Sequence, residues 1–146
     1  LFNDDGIQYL TKKPGEILTK VHLPATDGWR ASYRKLRRRD SFDFPVLGIG
    51  ACLWFDGDVV TRAEVRIGGA GSHAIPAEKT VEMIVGQTLR RGEAATDELL
   101  RAAAQEAYKP TRAMDNTDHE AAWRKKMAPI FVRRAIEDCL VGGGSS

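Results

Sequence analysis

The clearest hydrophobic pattern in the chain lies between residues 46 and 68. Residues 46–55 are almost wholly apolar, and residues 58–68 alternate between apolar and charged side chains. Asp56-Gly57 lies between the two runs and suits a type I′ turn, which needs positive φ angles. The pattern predicts a β-hairpin whose first strand is buried on both faces, or nearly so. On the second strand, one face is expected to carry Val59, Thr61, Ala63, Val65 and Ile67, and the other Arg62, Glu64 and Arg66.

Two further strands are expected before this hairpin. Residues 16–23 alternate loosely and are followed by Pro24, which cannot donate to a ladder, so they are predicted to form an edge strand. Residues 31–39 form a second, charged segment that contains Tyr33 and Leu36. After the hairpin, the glycine-rich residues 68–71 are expected to end the sheet.

The second half of the chain has the spacing of helices. Residues 77–85 are predicted to be helical, with Pro76 at the first helical position, where its missing N–H costs nothing. A second helix is expected to begin near Thr96 and to end at Lys109-Pro110. Its apolar stripe consists of Leu99, Leu100, Ala103, Ala104 and Ala107.

A third helix is predicted after Thr117, which forms a capping-box pattern with Glu120. Pro129 falls inside this helix, so a kink is expected there. One helix face is expected to carry Trp123, Met127, Phe131, Ala135 and Cys139. Together these elements predict an α+β fold in which an antiparallel sheet of three to four strands has about three helices packed on one side.

Length and composition are those of one globular domain. The 146 residues are 42% hydrophobic and 29% charged, which argues against disorder. We expect residues 1–141 to form a single domain and residues 142–146, which are glycine and serine, to form a flexible tail. Because the first residue is Leu1 rather than Met, the chain is expected to be a fragment of a longer one.

Net charge and cysteine content indicate an expected cellular compartment but do not indicate an activity. The net charge of +2 is too small to name a partner. Cys52 and Cys139 both lie in apolar runs, which favours buried thiols in a reducing compartment, and a cytoplasmic location is expected. No apolar run approaches the roughly 20 residues of a membrane helix, so membrane insertion is not expected.

Searches for catalytic and metal-binding motifs give no complete site. The chain has no P-loop, no dinucleotide-binding glycine motif and no metalloprotease or serine-hydrolase motif. His22, His73 and His119 are too far apart for a helical metal site. Residues 68–72 resemble a phosphate-binding loop, but a structural turn is favoured because residues 72–75 lie between the glycines and the predicted helix. Asp40 and Asp43 are either paired carboxylates or turn residues.

The basic segment 34–39 holds five cations in six residues. On a strand, alternate side chains point to opposite faces, so this charge is divided between two surfaces. Three uses remain open: a solvated face or interdomain ion pairs, contacts to a cofactor's phosphates or to another subunit, and nucleic-acid binding.

Several segments, taken in order, resemble one family. Residues 10–24 (LTKKPGEILTKVHLP) look like the segment that follows the flavin domain in the FAD-binding medium subunits of molybdenum hydroxylases. This family includes xanthine dehydrogenases and carbon monoxide dehydrogenases. Residues 33–46 (YRKLRRRDSFDFPV) are similar to the family's Y-R-K…R-x-x-F-D-x-A/P-x-V pattern, and residues 63–69 supply a strand and a Gly-Gly turn. Residues 123–136 match the closing Y-R…L-V-R-R-A-L pattern, with Trp123 at the tyrosine position.

The resemblance implies the C-terminal domain of a flavoprotein subunit. It implies that FAD is held mainly by an upstream domain, near whose adenine and ribose this domain forms a wall. The implied cofactor-binding residues are Phe42, Asp43 and Phe44, with Thr61 and Arg62 as weaker candidates, and no catalytic or metal-binding residue is implied. The implied partners are an iron–sulfur subunit and a large subunit with the molybdenum cofactor, and nucleic acid is not among them.

Three functions therefore remain in view. The first is a domain of an FAD-dependent oxidoreductase subunit that helps to wall the FAD site and to assemble subunits, with electrons passing from iron–sulfur clusters to FAD. The isolated domain is not expected to be catalytic. The second is a free-standing basic module that binds nucleic acid, and the third is an interaction domain without a ligand.

Overall fold

A four-stranded antiparallel sheet forms the centre of the structure. The computed structural model describes residues 3, 5, 7–23, 25, 28–39, 43–71, 73–113 and 120–141. The strands are β1 (Trp29–Leu36), β2 (Leu47–Asp56), β3 (Val59–Gly68) and β4 (Ile75–Pro76), and they lie side by side in the order β1-β2-β3-β4. Neighbouring strands are antiparallel throughout.

Three helices form the second layer. They are α1 (Glu78–Ile84), α2 (Ala94–Gln105), which a 3₁₀ turn (Glu106–Tyr108) extends, and α3 (Ala121–Cys139). Helix α3 packs against β1 and β2, α1 packs against β3, and α2 lies against both of these helices. The predicted α+β class, with a small antiparallel sheet and three helices, is confirmed. Among the described residues, no helix combines the length and the apolar character needed to cross a membrane.

The core lies between β2 and the helices. Successive side chains of a strand point to opposite faces, so alternate residues of β2 face the helices. These are Leu47, Ile49, Ala51 and Leu53, each no more than 3% exposed. On the other face of β2, Cys52 and Trp54 are only half-buried. The prediction that β2 is buried on both faces is therefore wrong for its second half, because the helices cover one face only.

The hairpin is confirmed, but its turn and one stretch of its register differ from the prediction. Asp56 pairs with Val59, so the two turn residues are Gly57 and Asp58. Gly57 has a φ of 57°, and no non-glycine residue in the described part has a positive φ. The turn thus has the φ signs of type II′ rather than I′.

A β-bulge between Trp54 and Phe55 changes which β3 residues face the core. Trp54 pairs with Arg62 and Phe55 pairs with Val60, which leaves Thr61 as the extra residue on β3. As a result Val60 is fully buried, whereas Val59 and Thr61 are exposed. The predicted inward positions are correct from residue 63 onward and wrong before the bulge, because one inserted residue reverses the alternation.

The predicted edge strand at residues 16–23 is not formed. These residues are exposed and have no strand assignment, and Ile17, Val21 and Leu23 are at least 68% exposed. An alternating pattern predicts a strand only if a partner supplies the ladder hydrogen bonds, and the described part of the chain supplies none to this segment.

Two details of the helix predictions are corrected. Pro76 lies in β4, opposite Arg66, and α1 begins two residues later at Glu78. In α3 the buried positions include Arg124, Ala128 and Val132, whereas Trp123 is 38% exposed. The helix is continuous through Pro129.

Two predictions concern residues that the structure does not describe. Thr117, the proposed capping residue, lies outside the described residues, as does the tail at 142–146.

Because of the bulge, truncating Val60 is expected to lower the free energy of unfolding much more than truncating its neighbour Thr61. We expect Val60→Ala to lower the free energy of unfolding by about 2 kcal/mol, since a fully buried side chain leaves a cavity. Thr61→Ala is the control, with an expected change within about 0.5 kcal/mol, as for most exposed positions. Urea unfolding of both variants measures the difference. A larger loss for Thr61→Ala than for Val60→Ala would contradict the bulge.

Candidate functional site

The loop that joins β1 to β2 forms the candidate site. Strand β1 ends at Leu36, and the backbone N–H of Val46 donates to the Leu36 carbonyl at 2.8 Å, immediately before β2 begins. This bond closes the loop at its base. The intervening residues are therefore held at one end of the sheet, next to the start of the buried strand.

Asp43 organises this loop through its carboxylate. One carboxylate oxygen accepts hydrogen bonds from the backbone N–H groups of Arg38, at 3.1 Å, and Arg39, at 2.9 Å. The other accepts from the backbone N–H of Phe44 at 2.9 Å and from the Arg39 guanidinium at 3.3 Å. The Asp43 carbonyl also accepts a hydrogen bond from the Lys35 ammonium group. We call this set of bonds the Asp43 cluster.

The Asp43 cluster keeps its carboxylate ionised. The backbone N–H of Arg39, followed by its guanidinium, lowers the pKa of Asp43 below the ordinary value of 3.8, and desolvation opposes this shift. The Asp43 side chain is 11% exposed, whereas its hydrogen-bond partners Arg39 and Phe44 lie at the surface. Asp43 thus organises the loop. Asp40, the other member of the carboxylate pair suggested by the sequence, lies outside the described residues.

Phe44 stands at the edge of a cavity beside the Asp43 cluster. Its side chain is 83% exposed although it is a large apolar group. The cavity has a volume of about 580 Å³. Its lining residues are Arg38, Arg39, Asp43, Phe44, Pro45, Val46, Gly69 and Arg124.

Arg124 reaches this cavity from the first turns of α3. The residue is only 4% exposed, and its Nη1 donates to the carbonyls of Val46, at 3.4 Å, and Gly69, at 3.3 Å. One guanidinium therefore ties the start of β2 to the residue that follows β3. Hydrogen bonds of this kind offset part of the cost of burying a charge.

Gly69 allows the close approach on which this arrangement depends. Its φ is 75°, a conformation that residues with a side chain rarely adopt. A Cβ at this position would lie 3.0 Å from the Val46 carbonyl oxygen and 3.3 Å from that of Pro45. The glycine-rich segment is thus a structural turn, as favoured above. It leads into β4 rather than directly into a helix, so it lacks the geometry of a phosphate-binding loop.

The cavity lining is positively charged. Arg38, Arg39 and Arg124 contribute three positive charges and Asp43 one negative charge, which gives an excess of two. Of these cations, Arg39 pairs with Asp43 and Arg124 donates to two backbone carbonyls, so both are engaged within the domain. Within the described part of the chain, no group of three or more His, Cys, Asp or Glu side chains is placed to hold a metal ion.

The structure brings together only some of the residues predicted to bind a cofactor. Asp43 and Phe44 are adjacent in the cavity wall, and Phe42 lies outside the described residues. Thr61 and Arg62 lie at the opposite end of the sheet, where Arg62 pairs with Trp54. The stretch of β2 from Leu47 to Trp54 spans roughly 23 Å at about 3.3 Å per residue.

Arg62 is engaged with neighbouring side chains at that far end. Its guanidinium lies 4.3 Å from the centre of the Trp54 ring, and it forms an ion pair with Glu64. Trp54 in turn stacks on Trp29, with 5.2 Å between ring centres. Arg62 thus belongs to a separate aromatic cluster on the sheet face that the helices leave uncovered.

Arg124 was missed as a site residue by sequence reasoning. It was noted only within the segment that matches the family's closing pattern. A usable signal was present, because Arg124, Ala128, Val132, Ala135 and Cys139 follow helical spacing and share a buried face. The presence of a charged residue in such a stripe indicates a buried polar contact.

The close approach at Gly69 predicts a specific cost for adding a methyl group. We expect Gly69→Ala to lower the free energy of unfolding by about 1–3 kcal/mol, because of the positive φ and the nearby carbonyl oxygens. Gly50→Ala is the control, since this glycine has no positive φ and no atom within 4 Å of its added Cβ. Urea unfolding checks both. Equal effects of the two substitutions would contradict the assignment.

The lowered pKa of Asp43 predicts a pH-dependent contribution to stability. A carboxyl whose pKa is lower in the folded state stabilises the fold above its unfolded pKa, near 3.8, and loses this effect as the pH falls through the folded value. We therefore expect Asp43→Asn to be less stable than the parent near pH 7, with the gap narrowing below about pH 4. Unfolding measured between pH 7 and pH 2 tests this. A gap that widens in acid would show that the sign is wrong.

Comparisons with known proteins identify the fold. The family model described as the CO dehydrogenase flavoprotein C-terminal domain matches residues 31–139. The carbon monoxide dehydrogenase medium chain of Afipia carboxidovorans is 26% identical over 137 residues, which is 90% of this chain and 44% of that protein. The glyceraldehyde dehydrogenase medium chain of Sulfolobus acidocaldarius is 18% identical and covers 85% of this chain and 42% of its own length. The chain thus spans less than half the length of these relatives.

Solved structures agree with this comparison. Reconstituted CO dehydrogenase from Oligotropha carboxidovorans has a chain that superposes with a TM-score of 0.68 at 24% identity, covering 81% of this chain and 38% of that one. Quinoline 2-oxidoreductase from Pseudomonas putida 86 gives a TM-score of 0.68 at 18% identity, covering 79% and 38%. At these identities the superpositions show a shared fold. The family match covers most of the chain, and the chain therefore belongs to the CO dehydrogenase flavoprotein C-terminal domain family.

Proposed function

We propose that this domain forms part of the wall of an FAD site in the flavoprotein subunit of a molybdenum hydroxylase. The observation that carries the proposal is the Asp43 cluster, which holds the backbone of a largely exposed Phe44 beside a cavity lined by three arginines. An exposed aromatic ring at the edge of a cavity is suited to contact a planar ligand. Family membership makes FAD the ligand to test first.

On this proposal FAD is held mainly by a part of the protein upstream of this domain. Asp43, Phe44 and the neighbouring Phe42 would then contact the cofactor, while the reaction at molybdenum and the iron–sulfur clusters would belong to partner subunits. When bound, FAD would accept electrons from those clusters. The residues of this domain would orient the cofactor and exclude water from it, and none of them is proposed to react.

Thr61 and Arg62 lie too far from Asp43 for the two groups to contact the same part of a ligand. Since roughly 23 Å of strand separates the two groups, they would contact different parts of an extended cofactor or different molecules. The aromatic cluster of Trp29 and Trp54 beside Arg62 offers a partly exposed surface there. Contact with a partner subunit is the use we propose for this end of the sheet.

The geometry does not favour the alternative of a nucleic-acid-binding strand. Arg34 pairs with Asp138 of α3, Lys35 donates to the Asp43 carbonyl, and Arg39 pairs with the Asp43 carboxylate. These cations of the basic segment are therefore divided among separate local contacts, whereas binding to a nucleic-acid strand calls for a charged groove with stacking aromatic side chains.

A longer chain that contains this domain provides the direct test. We expect it to purify with the visible absorption of bound flavin, and we expect Asp43→Asn to weaken FAD binding by about tenfold through loosening of the loop. Asp56→Asn, an exposed aspartate at the far end of β2, is the matched control and should leave FAD affinity within about twofold. A colourless parent, or equal loss in both variants, would overturn the proposal.

The 146-residue chain by itself is expected to release FAD. Because the proposal assigns most contacts with the phosphates to an upstream part, FAD mixed with this chain should be lost on desalting. The readout is the flavin absorbance that remains with the protein. Stoichiometric retention of FAD would show that this domain holds the cofactor alone, contrary to the proposal.

A further inference from the structure

The outer surfaces of α2 and α3 form a groove in the helical layer. Two neighbouring cavities of about 390 Å³ and 370 Å³ lie along it, and both are lined by Arg134 and Glu137 of α3. Their lining residues differ from those of the cavity beside Phe44. We call this surface the α2–α3 groove, and its main residues are Arg91, Asp97, Arg101, Ile130, Arg134 and Glu137.

The groove follows one face of each helix. On α3, Ile130, Arg134 and Glu137 recur at intervals of four and three residues, which places their side chains along one side of the helix. The α2 side of the groove shows the same spacing, at Asp97, Arg101 and Ala104. From Pro129 to Leu140 the lining residues of α3 extend over roughly 16 Å, which is the length of about three turns of another helix.

The groove contains an apolar surface. Buried side chains of Leu100 and Ala104 from α2 and of Pro129 from α3 line it. Ile130 lies beside them and is 43% exposed. Removing exposed apolar surface from water is the main favourable contribution to most protein association. This part of the groove therefore suits apolar side chains of a partner.

Neighbouring arginines neutralise two acidic residues of the groove. Arg133 donates to Asp97 at 3.1 Å and to Glu137 at 2.6 Å. Arg101 also lies 4.0 Å from the Asp97 carboxylate. These two arginines and two carboxylates together carry no net charge.

Arg91 and Arg134 add positive charge that no described carboxylate offsets. Asp138, the remaining acidic residue of the groove, pairs with Arg34. Within the described part of the chain, neither Arg91 nor Arg134 forms an ion pair, and Arg134 lies 5.6 Å from the centre of the Phe131 ring. Because an aromatic ring has no net charge, the groove retains two excess positive charges.

We propose that the α2–α3 groove binds an acidic, amphipathic helix of a partner polypeptide. The apolar side chains of that helix contact Ile130, and its carboxylates contact Arg91 and Arg134. Helices that dock in grooves use apolar anchors three or four residues apart, which is the spacing found along this groove. Opposite charges across such an interface favour an acidic partner over a basic one.

The proposal goes beyond the flavin-wall function, because it concerns the helical layer and not the loop between β1 and β2. A synthetic helical peptide provides the first probe. The peptide has about 14 residues, enough to span the groove, with leucines three and four residues apart and glutamates beside them. A matched peptide has lysine in place of each glutamate.

Fluorescence anisotropy of labelled peptides measures their binding to the 146-residue chain. We expect the acidic peptide to bind at least about tenfold more tightly than the basic peptide, and its affinity to fall with added salt. No binding of the acidic peptide, or equal affinities for the two peptides, would overturn the proposal.

Charge-removing substitutions test the two arginines. Arg91→Gln and Arg134→Gln are each expected to weaken binding of the acidic peptide by roughly tenfold, since each removes a charge-assisted contact. The control is Lys79→Gln on α1, an exposed cation outside the groove, with an expected change of less than about twofold. Equal losses in all three variants would indicate non-specific attraction and contradict the site.

Ile130→Ser tests the apolar contact. We expect it to weaken binding of the acidic peptide by roughly fivefold, because apolar area is no longer buried. Val85→Ser is the matched control, since Val85 is 37% exposed and lies outside the groove. Urea unfolding confirms that both variants are folded. If Ile130→Ser leaves the affinity unchanged, the proposed apolar contact is wrong and the proposal fails.

Two further measurements distinguish a partner from other occupants of the groove. Sedimentation equilibrium of the 146-residue chain is expected to give the same mass before and after Arg134→Glu, whereas a dimer that this substitution dissociates would assign the groove to a second copy and overturn the proposal. The longer chain is expected to bind the acidic peptide as well as the 146-residue chain does. Loss of binding there would show that the protein's own upstream part covers the groove, again contrary to the proposal. The flavin spectrum of the longer chain tests the flavin-wall function separately, so the two proposals can fail independently.

Discussion

Burial of one face of β2 beneath α3 is the constraint on which the rest of the structure depends. Leu47, Ile49, Ala51 and Leu53 are removed from water together, and this apolar burial provides the main driving force for packing the helix on the sheet. Polar contacts then fix the helix along the sheet. The Ser32 hydroxyl of β1 donates to the Ala135 carbonyl of α3 at 2.6 Å, and Arg34 pairs with Asp138. With α3 positioned in this way, the start of the helix lies over the end of the sheet where the candidate site is found.

Two sets of hydrogen bonds, one local and one long-range, hold the candidate site in place. Asp43 acts locally, since it organises a loop through bonds to residues within five positions of itself. Arg124 acts over a long range, since it joins α3 to the start of β2 and to the end of β3. The local bonds shape the wall that presents Phe44, and the long-range bonds place a buried positive charge next to it. The combination places charged side chains and one exposed aromatic ring on the same cavity wall.

Sequence patterns predicted the elements well because their signals are local. The hairpin follows from strand alternation and a glycine at the turn, and the helices follow from apolar stripes and flanking residues. Family resemblance directed attention to Asp43 and Phe44, which the structure places together in one cavity wall. The bulge at Thr61 escaped this reasoning, because an inserted residue is defined by its partner strand rather than by its own neighbours. Residues 16–23 show the same limit, since a strand-like sequence forms a strand only where a partner edge is available.

By itself, then, the sequence determined the fold class, the hairpin, the three helices and the family, all of which depend on periodicity or on short motifs. Only the tertiary structure decided that Arg124 reaches the cavity, that Gly69 must approach the Val46 carbonyl, and that Arg62 lies at the opposite end of the sheet from Asp43. Each of these facts concerns how close two residues lie in space although they are far apart in the chain. Such distances depend on how α3 packs on β2. The local conformational preferences of the residues involved do not determine them.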